Sequence, residues 1–207
     1  MEREAFLKRL AAANAGPELP DVATLPAVHT ELRAGDELYQ RFQFELEAVQ
    51  GTCEQCAPDA VAAAVLAALG ADRRVALADD LGRYLQPVRT ALTEAGIDAV
   101  PYAEVLGDRE RLGALEATVT GCALAVAATG SIVTTALAGR AAALIAPRHV
   151  CVVESANLVG GLAEALRRLP ASSMSAFQSG PSRTADIEKK LILGMHGPGV
   201  THVIIAG

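Results

Sequence analysis

Apolar positions recur along the chain with two different periods. Residues 2–13 and 36–50 place apolar side chains at intervals of three and four among charged ones, the period of a helix with one buried face. In the second of these, Leu38, Phe42, Leu46 and Val49 form a single stripe. Between them, Pro17, Pro20 and Pro26 predict an extended linker over residues 14–34. From residue 56 onward, apolar runs alternate with helix-length segments. The predicted strands are 74–78 (RVALA), 97–100, 122–128 (CALAVAA), 144–146, 150–153 and 202–206 (HVIIA). The predicted helices are 58–69, opened by Pro58 and closed by Gly70, then 84–95, closed by Gly96, and 108–117, 157–169 and 184–193. Strands apolar on both faces and spaced by helices imply a mostly parallel sheet with helices on each side, a three-layer Rossmann-like α/β fold. The expected organisation is an N-terminal helical arm and linker over residues 1–55 and an α/β domain over 56–207.

Composition narrows the partners. Hydrophobic residues make up 51% of the 207, aromatics only 3%, and there is no Trp, so the core must be built from Ala, Val, Leu and Ile at close spacing. A net charge of −6 with scattered cations argues against a nucleic-acid surface, which needs clustered Lys and Arg. Residues 117–139 carry no charge over a length able to cross a bilayer. However, they hold five threonines, Ser131 and three glycines against six residues drawn from Val, Leu and Ile, so a buried strand, turn and helix are expected and no membrane insertion. No charged and then apolar leader opens the chain, which reads as cytoplasmic with reduced thiols. Cys53 and Cys56 form a CxxC with neither a preceding strand nor a second ligand pair, and read as ordinary thiols near a helix end. No metal and no cofactor are expected.

Two segments carry candidate chemistry. Thr129, Gly130 and Ser131 follow the strand ending at Ala128, where a parallel sheet presents its ligand-binding edge. Their hydroxyls suit an anion or a carbonyl, and equally suit a tight turn that caps the next helix. The second segment is SGPSRTADIEKKLILGMHGPG, residues 179–199. Gly180 and Pro181 force a turn after Ser179, Ser182 and Thr184 sit at helix-cap positions, and Arg183 offers a planar fork for carboxylate or phosphate. Asp186 and Glu188 bring carboxylates, although Asp186 with Lys190 also reads as a helix-surface pair at i and i+4. His196, beside Gly197 and Pro198, is placed to shuttle a proton. Together these residues point to a site for a small anionic metabolite, with His196, Asp186 and Glu188 as the proton-transfer candidates.

The runs TGSIVTTALAGRAAALIAPRHVCVV (129–153) and SGPSRTADIEKKLILGMHGPGVTHVII (179–205) resemble the lactate-utilisation protein C family, also called the LUD domain, over roughly residues 70–207. The resemblance implies a fold of the ribose-phosphate isomerase and CoA transferase type. It implies a role in oxidising L-lactate to pyruvate beside iron–sulfur partner proteins, and adds Arg140 and His149 to the ligand-binding candidates. One departure is Ala128, where an acidic residue commonly precedes the Thr-Gly turn. The two cysteines of the single CxxC imply no cluster in this chain. Two alternatives stand beside that role: an independent enzyme acting on a phosphorylated, folate-like or acyl-CoA substrate, and a non-catalytic scaffold. Homodimer formation is left open.

Overall fold

The computed structural model describes residues 3–14, 36–135, 141–169, 174–185 and 191–207. Elements are numbered along the chain. At the centre lies a six-stranded sheet in the spatial order β1 (Thr52–Cys56), β12 (Val200–Ala206), β7 (Arg148–Glu154), β4 (Ala117–Gly121), β2 (Arg74–Leu77) and β3 (Asp98–Pro101). Every neighbouring pair runs parallel. β4 is buried over its full length and β7 over its five central residues, the mark of strands covered on both faces.

One face packs on α3 (Val61–Leu69) and α4 (Leu85–Glu94), whose Val61, Val65, Leu69, Val88 and Leu92 meet Val75, Val119, Val150 and Ile204 of the strands. The 3₁₀ turn Asp79–Tyr84 joins β2 to α4. The opposite face is covered at one end by α5 (Tyr102–Val105) and α7 (Ala142–Ile145), with α6 (Arg109–Gly113) beside them. At the other end it is covered by α2 (Asp36–Ala48) and a second sheet of β8 (Leu158–Val159), β5 (Leu124–Val126), β6 (Ser131–Thr135) and β9 (Ser175–Gln178). Leu124, Val126 and Val133 turn away from the main sheet and pack on Ala165 of α8 (Leu162–Arg168). β10 (Arg183–Ala185) and β11 (Leu191–Leu193) form a separate antiparallel hairpin, and α1 (Arg3–Asn14) is the predicted N-terminal helix. The three-layer, Rossmann-like arrangement is the predicted one.

Several elements differ from expectation, each for a tertiary reason. Ala117, read as the last residue of a helix, instead opens β4, which is inserted between β2 and β7. Residues 122–135 form an antiparallel hairpin rather than a strand, turn and helix. The expected strand 144–146 is the C-terminal part of α7 and the residue after it, and the expected helix 157–169 yields its start to β8, which pairs with β5. The expected helix 184–193 is the β10–β11 hairpin, with 186–190 outside the described residues; so too is most of the expected linker. Cys53 and Cys56 lie on β1 rather than at a helix end. Residues three apart on a strand point to opposite faces, so Cys53 packs with the α2 cluster and Cys56 with the α3 cluster.

The expected boundary at residue 56 falls at the end of β1, which pairs with β12 from Thr52 to Cys56. Upstream of it, the predicted stripe of α2 is seated in the same core: Phe42 and Leu46 are fully buried, with Leu38 and Val49 beside them. Phe42→Ala should therefore lower unfolding free energy by about 3–5 kcal/mol, measured by denaturant unfolding. Phe44→Ala, on the exposed face of the same helix, should cost less than about 1 kcal/mol; equal costs would mean that α2 does not cover the sheet.

Candidate functional site

Gly130 has a left-handed backbone, φ 57°, and turns the chain from the 3₁₀ turn Ala127–Thr129 into β6. Only glycine fits, because a Cβ would collide with the backbone of Glu45 and Leu46 in α2. Gly180, at φ 70°, lies at the end of the same helix, where a Cβ would sit 2.8 Å from Val49 Cγ2. The last turns of α2 are thus the common seat of both glycine turns. Between them runs a chain of hydroxyls: Thr129 Oγ1 is 2.7 Å from Ser131 Oγ, and Ser131 Oγ is 2.7 Å from Ser179 Oγ. Residues 48 positions apart in sequence share one hydrogen-bonded row. Ser131 is buried, so much of the bonding capacity of this row is satisfied within the protein.

The second segment closes on itself. The Ser182 amide donates to the Pro198 carbonyl (2.8 Å), and the Gly194 amide donates to the Ser182 carbonyl (2.9 Å). These bonds zip 180–182 to 194–198 and start the β10–β11 hairpin in register, Arg183 opposite Leu193. Ser179, Gly180, Ser182, His196 and Gly197 line a crevice of about 220 Å³. It adjoins a wider groove of about 610 Å³ whose wall is apolar, from Leu144, Ile145, Leu193, Met195 and Val200; Leu144, His196 and Gly197 belong to both. Arg183 is exposed and Thr184 half-buried on β10, neither of them lining the crevice. Thr129 and Ser131 reach it only through Ser179. Arg140, Asp186 and Glu188 lie outside the described residues.

His149 is placed elsewhere. It is fully buried in β7, level with Thr118 of β4 and Thr201 of β12, and it lines neither crevice. Its Nε2 is 2.8 Å from Thr120 Oγ1, whereas its Nδ1 and the hydroxyls of Thr118 and Thr201 have no partner among the described residues. Burial pushes its pKa down to about 4, so the ring is neutral near pH 7. The β7 register thus places the His149 side chain in the interior, apart from both crevices.

Sequence reasoning passed over Asp80. It follows β2, at the point where strand order reverses between β2 and β4, the place where open parallel sheets bind ligands. Asp80 Oδ1 accepts from the Gly121 amide at 2.8 Å, and Oδ2 is buried with no partner among the described residues. Burial, opposed by the bond from Gly121, raises its pKa to about 7. The available signal was an acidic pair, Asp79 and Asp80, directly after RVALA.

The two buried groups act oppositely on stability. His149, at about 4 against 6.5, contributes stability present above pH 6.5 and lost as pH falls toward 4. Asp80, at about 7 against 3.8, contributes stability present below pH 3.8 and lost as pH rises toward 7. Each slope is at most about 1.4 kcal/mol per pH unit, so their contributions nearly cancel from pH 4 to 6.5. Asp80→Asn should unmask the His149 slope, making the variant lose stability on acidification more steeply than the parent in pH-resolved chemical unfolding. Parallel profiles for the two proteins would refute the paired assignment.

The family model described as "LUD domain" matches residues 77–206. Lactate utilization protein C of Deinococcus radiodurans is 34% identical over 143 residues, covering 61% of this chain and 67% of that protein. Lactate utilization protein C 1 of Bacillus mycoides is 31% identical over 114 residues, 48% of this chain and 49% of that one. The alignments thus span about two thirds and about half of these relatives' lengths. Among solved structures, a DUF162 family protein from Deinococcus radiodurans superposes with a TM-score of 0.65 at 23% identity, over 83% of this chain and 97% of that one. That likeness concerns the fold. Among the described residues, no helix is long and apolar enough to cross a membrane.

Proposed function

The chain belongs to the LUD domain family, and from that premise we propose that it is a lactate-utilisation protein C-like subunit that supports oxidation of L-lactate to pyruvate with iron–sulfur partner proteins. In this reading a small carboxylate binds in the crevice between 178–182 and 194–198. The observation that carries it is the pair of backbone bonds from Ser182 to Gly194 and Pro198, which bring the two halves of the 179–199 motif around one cavity. Ser179 and Ser182 offer hydroxyls, Gly180 and Gly197 admit close approach of the backbone, and His196 at the rim is the proton carrier. Arg183 and Thr184 extend the polar edge on β10, and Asp186 and Glu188 follow them in the motif as candidate carboxylates. The oxidation releases two electrons and two protons per lactate; the electrons pass to the partner proteins.

The test combines binding with turnover. Pyruvate or L-lactate at 100 times its dissociation constant should stabilise the purified chain by about 2.7 kcal/mol, and Ser182→Ala should abolish that shift while the unliganded melting temperature is retained. In the reconstituted complex with its iron–sulfur partners, His196→Ala should lower lactate oxidation by about 10²-fold. Undiminished oxidation when this chain is left out would overturn the reading.

A second reading, a non-catalytic scaffold, draws support from the Thr129–Ser131–Ser179 row, whose hydroxyls bond to one another. A scaffold would keep full lactate oxidation in both His196→Ala and Ser182→Ala.

A further inference from the structure

A second cavity, of about 440 Å³, opens at the carboxyl ends of β1, β12 and β7, under the first turn of α2. It shares no lining residue with the crevice around His196. Its volume falls in the range of small-molecule sites, and it lies outside the carboxyl ends of three parallel strands, apart from the β2–β4 reversal. The floor is apolar, formed by Ile205 and Leu158 with Leu38 of α2. The walls are polar and uncharged: Gln40, Gln55, Ser155 and Tyr39. Gln40 and Gln55 come from opposite sides, one from the helix and one from the edge strand, and both are exposed. Neither amide, nor the Ser155 hydroxyl, has a hydrogen-bond partner among the described residues.

Tyr39 supplies a rigid aromatic wall. Its hydroxyl is hydrogen-bonded to the Cys53 thiol, and burial together with that neighbour pushes it up to about 12, so the phenol stays neutral. The nearest acidic side chain along β7, Glu154, alternates to the other face of the strand and is held by Arg83 at 2.6 Å. Among the described residues, no lining side chain carries charge at neutral pH, and none offers a cation to compensate the hydration that a phosphate or carboxylate would lose on entering. What the walls match is a neutral planar ligand with adjacent donors and acceptors. A glutamine amide pairs in bidentate fashion with the edge of a nucleobase, an aromatic ring and apolar floor receive its faces, and a serine hydroxyl suits a sugar hydroxyl.

We propose that this cavity is a binding site for an unphosphorylated nucleoside, with Gln40 and Gln55 reading the base edge, Tyr39, Leu158 and Ile205 holding its faces, and Ser155 meeting the ribose. The site is distinct from the carboxylate crevice and does not depend on it.

The full chain is titrated with adenosine, inosine, cytidine and uridine, and separately with their 5′-monophosphates, by calorimetry and ligand-observed NMR. At least one nucleoside is expected to saturate with a Kd below about 1 mM, and its monophosphate to bind no more tightly. Gln55→Ala should weaken that binding at least about tenfold, as expected for loss of a bidentate pair. Gln40→Trp, which lays bulk over the opening from an exposed helix position, should abolish it; both variants alter exposed residues and should keep the parent melting temperature. Saturation by none of the four nucleosides overturns the proposal. So does binding that survives both substitutions, and so does tighter binding of the monophosphates.

Discussion

Strand β7 and its neighbours have no solvent face, and over β12 and β7 it is α2 that covers one side of the sheet. Phe42 and Leu46 are driven out of water between the main sheet and the β5–β6 hairpin, and that burial fixes the position of the helix. Once α2 is seated, its last turns leave room for backbone but not for a side chain at Gly130 and Gly180. Two turns distant in sequence are thereby held against one another, and the hydroxyls of Ser131 and Ser179 meet. The candidate carboxylate crevice thus inherits its geometry from hydrophobic burial some distance away.

Polar groups inside this core are kept neutral rather than paired as ions. His149 lies level with two threonines in the middle of the sheet and is buried in its neutral form, while Asp80, at the point where strand order reverses, holds its proton to about neutral pH. Charging either costs desolvation energy that nearby groups do not repay.

Two of the cavities lined by the described residues differ in character. One, between the 178–182 and 194–198 turns, has backbone, hydroxyl and imidazole groups at its rim and an apolar groove beside it. The other, under α2, is built from amides, a phenol and a hydroxyl on an apolar floor, with no charged side chain among its described lining residues. Their chemistry separates the proposed ligands: a small carboxylate at the first, a neutral heterocycle at the second.

Much of the architecture was legible in the sequence because burial on both faces leaves a direct trace. RVALA and HVIIA read as covered strands, the Leu38, Phe42, Leu46 and Val49 stripe read as one helix face, and Gly70 and Gly96 marked helix ends. The segment at 179–199 was also legible as one motif, whose described ends bond to each other through Ser182, Gly194 and Pro198, as was the kinship of residues 77–206. What the sequence could not decide was which of two local structures a short apolar segment adopts. ATVTG at 117–121 and LIL at 191–193 suit either period over so few residues, and they became strands because neighbouring strands and the Ser182–Gly194 bond supplied partners for their backbone. The same holds for side-chain roles. The resemblance to a family made His149 a ligand candidate and residue type left Asp80 unremarked, whereas the register of β7 put one in the interior and the reversal of strand order between β2 and β4 put the other at the carboxyl end of β2, since burial and neighbours are properties of the folded chain alone.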